Sequence, residues 1–329
     1  MYQDELLNNQ AQINAIREKG KTNMGNANLR KASRNKKDEF YTQLSDIEDE
    51  LQHYQHHFKD KIIFMNADDP AESNFWRYFY LNFNNFGLKK IISTHYDPEE
   101  PTYKMEYNGT SEPTITNLEQ NGDFRSPEVI ELLKESDIVV TNPPFSLFRE
   151  YIAQLIKYNK DFVIMGNNNA ITYKDIFPLI KKEKIWLGHN ANKTMEFRIP
   201  DDYKTWDRVD DDGNKYCKVP AISWFTSLEI PRLYDKLILF KEYNEEDYPT
   251  YDNYDAINID RVANIPVDYK GYMGVPITYL TKHNPDQFEL LGIMNTGEEN
   301  KGIRYLNTPH GRPVVDGVEK YLRILIKRK

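Results

Sequence analysis

Short apolar runs, each followed by a longer amphipathic stretch, set the pattern of this chain. Lys61 to Asn66 encloses the first run, Ile62-Ile63-Phe64-Met65. A run this short, β-branched and aromatic, predicts a strand covered on both faces. Lys89 to Thr94, Asp137 to Thr141, Asp161 to Gly166 and Ala221 to Leu228 repeat the pattern. Helical spacing is predicted over Ser45 to Phe58, where Ser45 and Glu48 fit a capping box, and from Ser73-Asn74 through Leu81. Ser126 to Lys134, Leu147 to Tyr158 and Tyr173 to Lys182 are read as further helices. Residues 99–120 read as an extended excursion, a hairpin with Asn108-Gly109 as its turn. Later strands are expected at Ile185 to Gly188, Lys236 to Phe240 (pairing antiparallel with Ala221 to Leu228), Gln287 to Met294 and Lys320 to Ile326. Residues 200–218 read as a polar loop and Tyr248 to Asp260 as a linker. Strands alternating with helices predict an α/β fold with a mostly parallel, Rossmann-like sheet, whose ligands bind at the carboxyl ends of strands.

Composition adds limits. At 329 residues the chain is long enough for one large α/β domain with an appended unit. The expected divisions are a basic flexible arm over 1–37, a catalytic domain over 38–240 and a C-terminal region over 241–329 that contributes to target recognition, to completing the sheet, or to both. No apolar run reaches membrane-spanning length, and the polar start, Met1 to Gln10, lacks a signal-peptide core. The single cysteine, Cys217, excludes an internal disulfide and a multi-cysteine metal site, so a metal-free cytoplasmic protein is expected. A net charge of −8 disfavours nucleic acid as partner until its distribution is considered. Arg17, Lys19, Lys21, Arg30, Lys31, Arg34, Lys36 and Lys37 crowd the arm, and Arg323, Lys327, Arg328 and Lys329 the C-terminus. Arg30, Lys31, Arg34, Lys36 and Lys37 are therefore the candidates for contacting phosphates.

The chemistry concentrates where strands end. Asp137 to Thr141 runs directly into Asn142-Pro143-Pro144-Phe145. Two prolines make a stiff extended turn, which leaves the Asn142 side chain and nearby carbonyls as acceptors beside an aromatic face. Acceptors with a stacking surface suit a planar, amine-bearing group. The first strand exits into Ala67-Asp68-Asp69-Pro70. A dinucleotide loop would be glycine-rich at this point. This one has no glycine and two acids, so it suits a cationic ligand such as S-adenosylmethionine, which carries an ammonium and a sulfonium and no phosphate. Asp97, after the second strand, stands where a ribose diol is held. Asp123 and Phe124 offer an acid and a ring for an adenine. Phe40-Tyr41-Thr42, ahead of a helix, can set a ring and a hydroxyl over a small ligand. Trp224 is read as a core side chain rather than a pocket wall.

With these pieces placed, the chain resembles the EcoRI-type adenine-specific DNA methyltransferases from about Lys36 to its end. Asp38-Glu39-Phe40-Tyr41-Thr42-Gln43, Asp68-Asp69-Pro70 with Ser73-Asn74-Phe75, and Thr141 through Tyr151 carry the resemblance. Ser223 to Thr226, Tyr251 to Ile257 and Gly274 to Thr278 extend it. The resemblance implies methyl transfer from S-adenosylmethionine to the N6 amine of an adenine flipped out of double-stranded DNA. It assigns Phe40, Tyr41, Thr42, Asp68, Asp69, Pro70, Asp97, Asp123 and Phe124 to the cofactor. Asn142, Pro143, Pro144 and Phe145 would hold the target. It also implies DNA modification, either in restriction-modification or in phage or host protection, by a monomer; in the first case a cognate restriction endonuclease would act on the same site without a stable complex. Two alternatives remain: an amino-methyltransferase acting on RNA or protein glutamine, and an inactive DNA-binding homologue. A cytosine-C5 enzyme is disfavoured, because Cys217 follows Tyr216 rather than a proline and sits in a polar stretch.

Overall fold

The computed structural model describes residues 41–67, 69–98, 102–199, 205–295 and 311–329. The expected arm, with Arg30, Lys31, Arg34, Lys36, Lys37 and Phe40, lies outside the described residues, as does Asp68. The chain divides into two compact units. The first takes residues up to 168 together with 193–228, and the second takes 169–192 and 229–329.

The first unit is built on one sheet. The strands along its main path are β1 (Tyr41–Thr42), β2 (Ile62–Met65), β3 (Lys90–Thr94), β4 (Tyr103–Tyr107), β5 (Thr114–Asn117), β6 (Ile138–Thr141), β7 (Asp161–Asn167), β8 (Lys193–Ile199) and β9 (Lys215–Thr226). Their order across the sheet is β1-β8-β9-β7-β6-β2-β3-β4-β5. The centre, β7-β6-β2-β3, is parallel. Every other pairing along that order is antiparallel. The sheet is therefore mixed, which corrects the expected mostly parallel one. The antiparallel members are the hairpin after β3, whose strands turn around Asn108-Gly109 as expected, and β1, β8 and β9 on the other flank, of which β8 was not expected.

The parallel strands are buried along their length, with Ile63, Phe64, Val139, Val140, Val163 and Ile164 fully inside. Burying each such side chain stabilises the fold by about 1.5–3 kcal/mol. Helices cover them: α1 (Leu44–Leu51), α2 (Asn74–Leu81), a short α3 (Phe83–Phe86), α4 (Pro127–Glu135) and α5 (Phe148–Lys157). Ser73 caps α2, its hydroxyl accepting the N–H groups of Phe75 and Trp76 at 3.2 and 3.4 Å. Ser126 caps α4 through the Val129 N–H, with Pro127 in the first turn. The Ser45 capping box does not form. Its helix starts at Leu44 with Gln43 as cap, and from Gln52 to His57 it tightens into a 3₁₀ turn. Trp224 is fully buried and meets Phe75 edge-on at 6.0 Å, as a core side chain does.

The second unit holds the short helix α6 (Phe177–Lys181) and a four-stranded sheet. Its strands are β10 (Ile257–Asn258), β11 (Tyr272–Pro276), β12 (Phe288–Ile293) and β13 (Arg323–Arg328), ordered β10-β11-β13-β12. The expected linker contributes to its core. Tyr251 and Tyr254 are buried, and their hydroxyls donate to Asn258 Oδ1 at 2.8 Å and to the Gly311 carbonyl at 2.7 Å. Gly274 is required beside them, because a Cβ there would collide with Tyr251 and Met294. The expected strand at Lys236 to Phe240 is absent. Ile238 and Phe240 are largely exposed, and the segment is held by Gln287, whose side chain accepts the Leu237 N–H at 2.6 Å. The C-terminal basic run is no free arm either. It forms β13, in which Arg323 is buried within 3.4 Å of Asp260. Among the described residues no helix is long and apolar enough to cross a membrane.

Candidate active site

Parallel pairing brings the ends of β2, β3, β6 and β7 to one edge of the sheet. Buried polar side chains gather there: Asn66 and Asp69 after β2, Thr94 and His95 at β3, Thr141 and Asn142 at β6, and Asn168 after β7. A fold places this many polar groups inside only where hydrogen bonding or function offsets their desolvation.

Asn142 leaves β6 buried, at 7% exposure. Pro143 is buried, while Pro144 and Phe145 are half-buried. Pro144 holds extended angles (φ −55°, ψ 123°), and its carbonyl accepts the Leu147 N–H at 3.0 Å, opening the single 3₁₀ turn Phe145–Leu147 that leads into α5. The turn thus presents one side-chain amide, proline carbonyls and one accessible ring in a few residues.

The acidic loop after β2 is tightly held. Asp69 is 6% exposed. Its carboxylate accepts the Ala71 N–H at 3.0 Å and the Tyr103 hydroxyl, and His95 Nδ1 lies 3.7 Å away. Its backbone carbonyl accepts the N–H groups of Glu72 and Ser73, which starts α2. Pro70 is buried behind it. Asp69 therefore faces into the protein, and Tyr103, on the antiparallel β4, is what holds it. Nothing in the sequence marks Tyr103 for a role, since its contact with Asp69 is made only by the fold.

On the next strand end, Asp97 is half-buried and its N–H donates to the Asn121 carbonyl at 2.9 Å. That bond brings the Gly122-Asp123-Phe124 loop alongside β3. Gly122 has φ +75°, and a Cβ there would strike the His95 carbonyl and Thr102, so only glycine permits this approach. Asp123 takes two bonds from the Arg125 guanidinium, at 2.8 and 2.6 Å, which hold its carboxyl below the ordinary range against the opposing effect of partial burial. Phe124 is buried, edge-on to Tyr151 at 5.1 Å. At the far side, Thr42 is buried, its carbonyl accepting from Asn74 Nδ2 at 2.7 Å and its hydroxyl lying 3.3 Å from Met165 Sδ. Tyr41 is half-buried, with the Arg198 guanidinium 5.6 Å from its ring centre.

All described members of the predicted site thus belong to the first unit, on β1 or on loops at the carboxyl ends of β2, β3 and β6 and before α4. Asn66, Tyr103 and Tyr151 join them without having been singled out for a role. The loop after β2, without glycine, offers no backbone cradle of N–H groups for a phosphate.

Residues 28–329 match the family described as adenine-specific methyltransferase EcoRI. The type II methyltransferase M.EcoRI of Escherichia coli is 45% identical over 330 residues, covering 93% of this chain and 98% of that protein. The type II methyltransferase M.MpnI of Mycoplasma pneumoniae is 40% identical, with 91% of this chain and 97% of the relative aligned. M.MgeORF184P of Mycoplasma genitalium, also a type II methyltransferase, is 40% identical over 91% of this chain and 98% of its own length. With a family match across nearly the whole sequence and relatives this similar end to end, the chain belongs to the EcoRI family of adenine-specific methyltransferases.

Proposed function

We propose that this enzyme transfers a methyl group from S-adenosylmethionine to the N6 amine of an adenine flipped out of a specific DNA sequence, as the modification arm of restriction-modification. The observation that carries the reading is the Asn142-Pro143-Pro144-Phe145 turn at the end of β6. It stands beside the acidic loop of β2 on the shared carboxyl edge of the parallel strands. The Rossmann-like reading rests on that central parallel layer. The divisions at 1–37, 38–240 and 241–329 give an arm for phosphates, a catalytic domain, and a C-terminal region that contributes to target recognition. The protein works as a monomer in the cytoplasm, and a cognate endonuclease meets it only through the shared DNA site.

The residues fit the cofactor by their chemistry. Asp97 holds the ribose diol, Asp123 and Phe124 the adenine, and Tyr41, Thr42 and the Asp68-Asp69-Pro70 loop the methionine portion, with Phe40 beside them. The cofactor, when bound, supplies an electrophilic methyl group on a sulfonium. The chain prepares the nucleophile. An adenine amine is conjugated with its ring and attacks poorly. Asn142 Oδ1 and the Pro143 carbonyl accept its two N–H groups, which draws the nitrogen towards tetrahedral geometry and aims its lone pair. Phe145 stacks on the flipped ring, and Pro144 keeps the turn stiff. Removing such preorganised bonds costs on the order of a hundredfold in rate or more. No covalent enzyme intermediate is required, in keeping with a Cys217 thiol that burial and nearby Asp207 push above its ordinary pKa.

Expression in a methylation-free bacterial strain, followed by single-molecule sequencing, tests the reading. The expected result is N6-methyladenine at one short sequence, lost with Asn142→Ala. A genome without methylated adenine from a well-expressed protein would refute it.

A further inference from the structure

The catalytic turn and the acidic loop leave neighbouring strands, and a side-chain contact links the residues that flank them. Tyr151, one turn into α5, is fully buried, and its hydroxyl donates to Asn66 Oδ1 at the end of β2. Asn66 is itself 3% exposed and directly precedes the acidic loop. The same helix face reaches the Asp123-Phe124 loop. The Tyr151 ring meets Phe124, and Gln154 Nε2 donates to the Phe124 carbonyl at 2.9 Å. One helix, launched by the catalytic turn, therefore touches both stretches proposed to hold the cofactor.

The surroundings of Asn66 are unusual for a core. Continuing the β2–β3 and β2–β6 registers past their last pairs sets Thr94, Asn66 and Thr141 level across three adjacent strands. Thr94 Oγ1, Asn66 Nδ2 and Thr141 Oγ1 are all buried with no hydrogen-bond partner among the described residues. Apolar side chains of similar size would fill these places without desolvation cost. A polar row that packing does not require, ending one residue before Asn142, marks positioning rather than core.

We propose that Tyr151 and Asn66 are positioning residues, whose hydrogen bond fixes the start of α5, and with it Asn142 to Phe145, relative to the acidic loop. The proposal rests on the adenine-methylation reading above. It acts on the alignment of amine and methyl group more than on the binding of either.

Steady-state methylation by the full chain tests it, with thermal unfolding recorded alongside. Tyr151→Phe keeps the ring and removes one oxygen. It is expected to lower kcat by about 10- to 100-fold while KM for S-adenosylmethionine stays within about twofold. The melting temperature should move by only a few degrees, about what loss of one hydrogen bond allows. Asn66→Ala should lower kcat similarly, and the double variant should be no worse than the poorer single one, as for two groups acting through one bond. A kcat for Tyr151→Phe within about twofold of wild type, or losses that multiply in the double variant, would overturn the proposal. Tyr151→Phe decides the matter alone if Asn66→Ala does not fold. An inactive wild type would instead count against the functional reading.

Discussion

Asn142 carries the sharpest prediction at the scale of single residues. Asn142→Ala removes the side-chain acceptor and leaves the proline turn in place. Methyl transfer to DNA should fall by about a hundredfold or more, while calorimetric binding of S-adenosylmethionine stays within a few-fold of wild type. Full activity would remove Asn142 from the mechanism. His283 makes a prediction about pH. It is buried in the second unit, with its Nδ1 3.1 Å from the Tyr279 hydroxyl, and burial pushes its pKa down to about 4, helped by Lys329. The folded protein therefore keeps this ring neutral where the unfolded chain protonates it. Between its ordinary pKa of 6.5 and about 4 the unfolded state binds the extra proton, so stability falls as pH drops through that window. The contribution is on the order of 3 kcal/mol near pH 4. Denaturant unfolding from pH 7 to pH 4 should show a shallower loss in His283→Gln.

At the scale of elements, the loop before α4 depends on one glycine. Gly122→Ala sets a Cβ against the His95 carbonyl and forces an alanine into positive φ. It should destabilise the fold by more than about 1 kcal/mol, and weaken cofactor binding by displacing Asp123. Thermal unfolding with and without S-adenosylmethionine separates the two effects. Ser73→Ala, which loses the cap of α2, should cost about 1 kcal/mol in thermal or denaturant unfolding. These elements also show what was legible in the sequence. The parallel strands and their capped helices were, because each has an unbroken apolar run or a serine followed by helical spacing. The Asn142 turn was legible because two prolines admit few conformations. β8 has no continuous apolar run, but Met195, Phe197 and Ile199 alternate with Thr194, Glu196 and Arg198, the period-2 signal of a half-buried strand, and that alternation could have found it. Lys236 to Phe240 misled in the opposite sense: its apolar residues meet no ladder partner. Tyr103 and Asn66 could not be found from sequence because their importance is their partners, Asp69 and Tyr151.

For the whole molecule, the net charge of −8 and the basic start of the chain pull in opposite directions. Deleting residues 1–37 should weaken DNA binding and flatten the slope of log affinity against log salt, because a protein that neutralises fewer phosphates releases fewer counterions on binding. Fluorescence anisotropy across a salt series measures both, and an unchanged slope would show that the arm does not touch the phosphates.

The antiparallel flank of the first sheet also bears on how the protein is made. Tyr41 and Thr42 find their ladder partners only at Arg198 and Phe197, and β7 is completed only by Ile222 to Thr226. During synthesis, the early strand and the parallel centre must wait for residues emerging far later from the ribosome. Such non-local closure is slow to fold and leaves sheet edges open in the interval. Thr42 can meet Asn74 and Met165 earlier, but it gains its ladder partner Phe197 only at that later stage. A nascent chain ending before β8 therefore carries the Asn142 turn yet lacks the strand that pairs with β1, one wall of the pocket proposed for the cofactor. That wall waits for β8 and β9, well after the Asn142 turn has been made.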